Sequence, residues 1–249
     1  MVVTPGRRGW HRLLRRARPL SARTAARSGW LILAPHPDDE TLGAGGLIAA
    51  LAALDATMTV AFLTDGSGSH VGAPGWSRNR IAQLRANEAT AALHALGHSA
   101  PALRLNWRDA APFERGSPEY TASVRRLVTL CRRRGIRRIV TSWSADPHCD
   151  HVAAAALATD VARRLRIRPA FYGVWGWILP DLDRRLAPMR ATALPVARWR
   201  GAQRRALACH RTQLGGRIVG AAERFVLPRP MRRLVAASHM ILLEHRHAP

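Results

Sequence analysis

The chain has 249 residues, 47% of them hydrophobic, and a formal charge of +23 from 39 basic and 16 acidic side chains. That length and apolar content suffice for one substantial core, and no apolar run reaches the roughly eighteen residues that a membrane-spanning helix needs. Every basic residue other than histidine is arginine, so the surface is drawn to phosphates and anionic glycolipids; runs such as Arg132-Arg133-Arg134 read as solvated faces, and no specific nucleic-acid partner is expected.

From Arg7 to Arg27 the chain holds eight arginines and no acid, with Trp10, Leu13, Leu14 and Leu20 among them. Residues 1–28 are expected to form a flexible or partly helical arm, and the basic amphipathic pattern also suits peripheral contact with an anionic membrane. No uninterrupted apolar core follows these arginines, so a secretory signal is not expected. Three scattered cysteines, Cys131, Cys149 and Cys209, make no disulfide framework and point to a reducing cytoplasm.

The apolar run 30–34 reads as a strand and ends in Pro35-His36-Pro37-Asp38-Asp39-Glu40, which puts a histidine and three carboxylates in one turn. Acids are scarce in this chain, so three at a strand end call for a counter-charge, and a divalent cation supplies one. Gly43, Gly45 and Gly46 follow, but Ile48 stands where a dinucleotide fingerprint needs its last glycine. A strand over 58–64 leads to Thr64-Asp65-Gly66, where Asp65 either bonds a sugar hydroxyl or closes a turn.

Arg85 and Glu88 share a helix face at i,i+3, the spacing of a surface ion pair. A second cluster, Asp146-Pro147-His148-Cys149-Asp150-His151, follows the apolar run 136–143. A histidine and an aspartate in one turn, joined by a histidine from a distant turn, suit a catalytic zinc site with an open position. Asp150 has two readings, a partner that orients His148 or an N-cap of the following helix. Trp175 and Trp177 are candidates for stacking on a sugar, against the commoner fate of core packing.

These motifs carry a family resemblance. The strand followed by PHPDDE, the later HCDH, the Arg85-Ala86-Asn87-Glu88 helix and the segment from Ala206 to Gln213 resemble the LmbE-like, or PIG-L, zinc-dependent de-N-acetylases. The resemblance implies that His36, Asp39 and His151 hold one Zn2+, with Fe2+ an alternative, that Asp38 is the general base, and that His148 assists the oxyanion or leaving group. It also implies that Arg85 reaches the pocket. The expected substrate is an N-acetylglucosamine-type glycoconjugate, a small molecule or glycolipid, which loses acetate and keeps a free amine. Cys149 stands where the family usually has proline and is left out of the ligand set, since free cysteine is more often a small buried apolar group.

Strand-like runs at 30–34, 58–64, 102–105, 136–143 and 169–175 alternate with helix-like stretches at 44–54, 77–96, 119–134, 151–166 and 199–210. This alternation predicts an α/β fold, a Rossmann-like, mostly parallel sheet with helices on both faces. Residues 29–249 are expected to be one catalytic domain, with a C-terminal cap of an added strand or helix from about 212. Two other functions fit parts of the pattern, a metal-dependent phosphoesterase acting on an anionic substrate and a non-catalytic arginine-rich binding protein.

Overall fold

A computed structural model describes residues 5–246. Its strands are β1 (Arg18–Pro19), β2 (Gly29–Ala34), β3 (Met58–Thr64), β4 (His70–Val71), β5 (Leu103–Trp107), β6 (Ile136–Ser142), β7 (Pro169–Tyr172), β8 (Met189–Pro195), β9 (Glu223–Arg224) and β10 (His239–His245). Eight of them form one sheet in the order β1-β8-β10-β7-β6-β2-β3-β5, while β4 and β9 make a small antiparallel ribbon. Within the large sheet only β10 runs against its neighbours. The mostly parallel α/β architecture is the one the alternating pattern predicts.

The helices are α1 (Pro5–Arg16), α2 (Ala22–Ala26), α3 (Asp39–Ala52), α4 (Arg78–Ala95), α5 (Pro118–Arg133), α6 (Cys149–Leu165), α7 (Leu182–Leu186), α8 (Arg200–Cys209) and α9 (Arg229–Arg232). Strand β2 shows why both sheet faces are covered: Trp30, Ile32 and Ala34 enter one apolar layer with α3 and α4, and Leu31 and Leu33 enter another with α5 and α6. A strand buried on both faces reads as an unbroken apolar run, as this one does. Helix starts follow local chemistry. Ser77 Oγ accepts the Arg80 N–H at 3.2 Å, and Ser117 Oγ accepts that of Tyr120 at 3.3 Å, ahead of Pro118 in the first turn of α5.

Helix α3 begins at Asp39, five residues before the expected start at 44. Two glycines of this helix are required by packing. A Cβ on Gly43 would overlap the Tyr172 ring, and one on Gly46 would sit 2.6 Å from Val196 Cγ1. The early start puts Asp39, Glu40 and Thr41 in the first turn, where N–H groups favour negative charge.

From β2 the chain winds outward through β3 to β5, then returns to β6 on the other side of β2 and on to β7. The reversal opens a crevice beyond the C-terminal ends of β2 and β6, where open α/β sheets bind ligands. In the segment expected as a flexible or partly helical arm, the described residues include α1, which is packed. Leu13, Leu14 and Ala17 join the apolar cluster of Phe171, Leu186 and Met189, and Gly9 lets α1 approach Leu182. The C-terminal segment is more than a cap, because β10 lies between β7 and β8 in the sheet. No helix among the described residues is long and apolar enough to cross a membrane.

Gly43→Ala is expected to destabilise the protein by about 1–3 kcal/mol, the usual cost of overpacking a filled core. The urea unfolding midpoint reads this out, and an unchanged midpoint would show that Tyr172 moves aside freely.

Candidate metal centre and active site

Strand β2 ends at Ala34, and Pro35 to Asp38 turn the chain into α3. Thr64 on the neighbouring strand bonds Pro35 O through both its N–H and its hydroxyl, and the Asp38 N–H donates to Glu40 Oε2 at 2.9 Å. Asp38 has φ 157° and ψ −27°, a conformation few L residues adopt, so its carboxylate is aimed by a backbone held under strain.

His36, Asp39 and His151 meet at the crevice floor. Asp39 Oδ2 lies 3.1 Å from His36 Nδ1 and 3.2 Å from His151 Nε2, and one donor atom from each residue falls within 4.8 Å of the others. The outer nitrogen of each imidazole meets another carboxylate. His36 Nε2 is 3.0 Å from Asp150 Oδ2 and 3.3 Å from Asp109 Oδ1, while His151 Nδ1 is 3.0 Å from Asp146 Oδ2. Imidazoles backed by carboxylates are the usual outer arrangement of a metal centre. Two histidines and one carboxylate fit a divalent cation such as zinc or iron(II). A second grouping of His36, Asp109, His148 and Asp150 is equally close, but backbone N–H groups of Ala110 and Gly68 already hold Asp150 and Asp109.

The surrounding carboxylates favour the protonated form of both imidazoles. Burial lowers the pKa of His36, but Asp109, Asp150 and Asp39 outweigh it and hold the ring well above its ordinary value. Burial also opposes protonation of His151, and Asp39 and Asp146 push it up to about 9. Burial would raise Asp39, yet the two imidazoles hold its carboxyl far below the usual carboxylate range.

Asp38 is buried beside this trio and outside both donor groupings. Burial raises its pKa to about 6, with Asp39 adding to the rise and Arg85 opposing it. Arg85 approaches Asp38 Oδ1 at 3.4 Å and donates to Pro37 O and Gly66 O at 2.9 Å each. Gly66 has φ 69°, and a Cβ there would sit 2.6 Å from Arg85 Nη1. The expected surface pair of Arg85 and Glu88 does not form. Both are buried, and Glu88 instead accepts the Thr212 hydroxyl at 2.6 Å and its N–H at 3.1 Å.

His148 caps α6 through its ring: Nδ1 accepts the Asp150 N–H at 3.2 Å. Acceptance at Nδ1 places the proton of the neutral ring on Nε2. Burial, and then the charge on His36, hold its pKa below the ordinary value. The Asp150 carboxylate, expected to orient His148, lies 3.8 Å from Nδ1 and bonds His36 instead, because its first α6 turn faces the end of β2. Of its two readings, Asp65 has the geometry of the turn. It accepts the Ser67 N–H at 2.9 Å, closing its own turn, and lines a different cavity beside Asn79 and Arg104.

The site opens into a cavity of about 350 Å³. His36, Asp38, Asp39, Asp109, His148 and His151 line its polar side; Leu42, Trp175, Phe225, Leu227 and Met231 line an apolar side. Trp175 reaches the cavity, whereas Trp177 packs in the cluster around Phe171. Cys149 belongs to neither donor grouping.

Three polar residues went unassigned in the sequence. Asp109 stands alone after β5, and its only signal is an acid just past a strand end. Asp146 lies inside a recognised cluster, but its partners, the N–H groups of Val174, Trp175 and Gly176, come from a later loop. His210 pairs with Glu40 at 3.0 Å and thereby ties α8 to the first motif.

The profile of the PIG-L family, described as GlcNAc-PI de-N-acetylase, matches residues 31–162, more than half of the chain and both clusters. The chain belongs to the PIG-L family. It is 29% identical over 211 residues to a 1D-myo-inositol 2-acetamido-2-deoxy-alpha-D-glucopyranoside deacetylase of Nocardia farcinica, covering 72% of this chain and 68% of that protein. The antimicrobial A40926 pseudoaglycone deacetylase shares the fold with a TM-score of 0.67 at 20% identity, over 90% of this chain and 99% of that one. N,N'-diacetylchitobiose deacetylase from Pyrococcus horikoshii superposes with a TM-score of 0.58 at 18% identity, over 74% and 70% of the two chains. So does a 4-carboxy-2-hydroxymuconate hydratase from Pseudomonas putida, with a TM-score of 0.60 at 15% identity over 89% and 97%. The fold therefore admits other chemistry, and the family match rests on sequence.

Zn2+ uptake by the metal-free protein is expected to release protons and to tighten as pH rises towards about 9, because His36 and His151 must lose theirs first. Calorimetry in buffers of different ionisation enthalpy checks this, and uptake without proton release would remove these imidazoles as ligands. Asp146→Asn is expected to weaken the metal by roughly 10–100-fold, the usual effect of losing a carboxylate behind a ligating histidine. Competition with a chromogenic chelator measures it.

Proposed function

We propose that this PIG-L family protein is a zinc-dependent hydrolase that removes the N-acetyl group from an amino-sugar glycoconjugate, releasing acetate and a free amine. Hydrolysis of an amide is the family's chemistry, which replaces the phosphoesterase and pure binding readings. The observation that carries the assignment of roles is the position of Asp38, a buried carboxylate beside three metal donors and outside their set.

His36, Asp39 and His151 hold the ion in this reading. What it supplies there is Lewis-acid polarisation of the amide carbonyl and acidification of water. Asp38 takes the proton of the attacking water and passes it to the departing nitrogen. Arg85 fixes Asp38 and favours its charged form. His148 keeps its proton and hydrogen-bonds through Nε2–H to the carbonyl oxygen as negative charge develops there, and the bond relaxes when the carbonyl re-forms. Asp150 acts on His36 as a positioning residue, and Asp109 and Arg85 face the sugar. The apolar side of the cavity receives the non-polar part of a small-molecule or glycolipid substrate. Three free cysteines support a cytoplasmic location.

Acetate release from a panel of N-acetylglucosamine conjugates by the zinc-loaded protein tests the reading. Asp38→Asn is expected to lower the rate by about 10²–10⁴-fold with zinc content unchanged, the usual worth of a general base. His36→Ala is expected to lose the zinc itself. Retention of wild-type rate by Asp38→Asn would sink the assignment. The acid limb of the rate profile is expected at or below about pH 6, because Asp38 acts only when ionised and a nearby cation moves a carboxylate further down.

A further inference from the structure

A second cavity, of about 340 Å³, lies between α1, α7 and the β1–β8 end of the sheet and shares no residue with the active site. Arg12, Arg16, Arg18, Arg190 and Arg246 are five of its twelve lining residues, against 39 in the whole chain of 249, an enrichment of more than twofold. Its one acidic lining residue, Asp183, is already paired with Arg12 at 3.2 Å. Arg246 donates to Met189 O at 3.1 Å. Arg16, Arg18 and Arg190 form no salt bridge among the described residues. Beneath the guanidinium groups the cavity is apolar, with Leu13, Leu186 and Met189 drawn from the cluster under α1.

Guanidinium groups crowded at one concavity repel one another unless an anion is shared between them. Their planar forks match phosphate oxygens two at a time. A free phosphate ion would satisfy the rim and leave the apolar floor in water. A ligand with a phosphate head and hydrocarbon next to it satisfies both. We propose that this cavity seats the headgroup and adjoining acyl carbons of an anionic membrane phospholipid, so that α1 is a docking element and the protein binds membranes peripherally.

The test uses the full-length protein and vesicles of phosphatidylcholine, alone or mixed with phosphatidylglycerol. Co-sedimentation with the mixed vesicles alone is expected. The double variant Arg18→Gln/Arg190→Gln should weaken it by about thirtyfold, given the usual contribution of each arginine near an anionic surface. Arg132→Gln/Arg133→Gln on α5 removes the same charge elsewhere and should leave binding unchanged; circular dichroism confirms that both variants are folded. Equal weakening by the two pairs would reduce the effect to diffuse charge and overturn the proposal, as would equal binding to phosphatidylcholine alone. Thermal shifts with inorganic phosphate separate the other source. A shift lost in Arg18→Gln/Arg190→Gln, with no sedimentation on any vesicle, would assign the site to soluble phosphates and overturn the membrane assignment.

Discussion

The carboxylate of Asp39, held between imidazoles from two strand ends, is the junction around which this protein is arranged. One oxygen lies 3.1 Å from His36 and 3.2 Å from His151, and nearly every other polar residue of the crevice serves one of the three. Four ionisable groups buried together are costly unless each is paired. Here each imidazole has a carboxylate on either side, and a cation can take the place of the protons between them. Asp38 is the exception. It is buried beside Asp39 with the Arg85 guanidinium as its nearest counter-charge, and burial raises its pKa to about 6.

The supporting layer comes from distant parts of the chain. Asp146 binds His151 with one oxygen and, through its two oxygens, gathers three successive N–H groups of the loop that carries Trp175. Glu40 reaches His210, and Glu88 reaches Thr212, so two acids of the N-terminal half pin the end of α8. Gln213, Phe225, Leu227 and Met231 then follow along the cavity. The same contacts that fix the turn of Asp38 and Asp39 thus also position the apolar wall of the cavity.

Fold and chemistry are separate matters. A hydratase shares this fold at 15% identity, and in open α/β sheets the strand reversal provides a binding place and leaves the reaction to the loops. The two clusters at the ends of β2 and β6 tie this chain to amide hydrolysis, and both lie within the matched residues 31–162.

The sequence by itself determined the alternation of β2, β3, β5, β6 and β7 with α3, α4, α5, α6 and α8, the two acid-and-histidine turns and their family. Apolar runs and turn residues are local signals, read without knowing what lies across the fold. Only the tertiary structure decided which carboxylate serves which imidazole: Asp150 stands two residues from His148 in the chain, yet bonds His36 from the turn after β2. It decided that Arg85 is buried against Asp38, that Asp109 joins the centre, and that Asp65 turns away to close its own loop. It also packed the arginine-rich start of the chain on the sheet and threaded β10 between β7 and β8. These outcomes depend on strand order and crossover direction, which bring residues more than a hundred positions apart within hydrogen-bond reach, and no spacing along the chain records them.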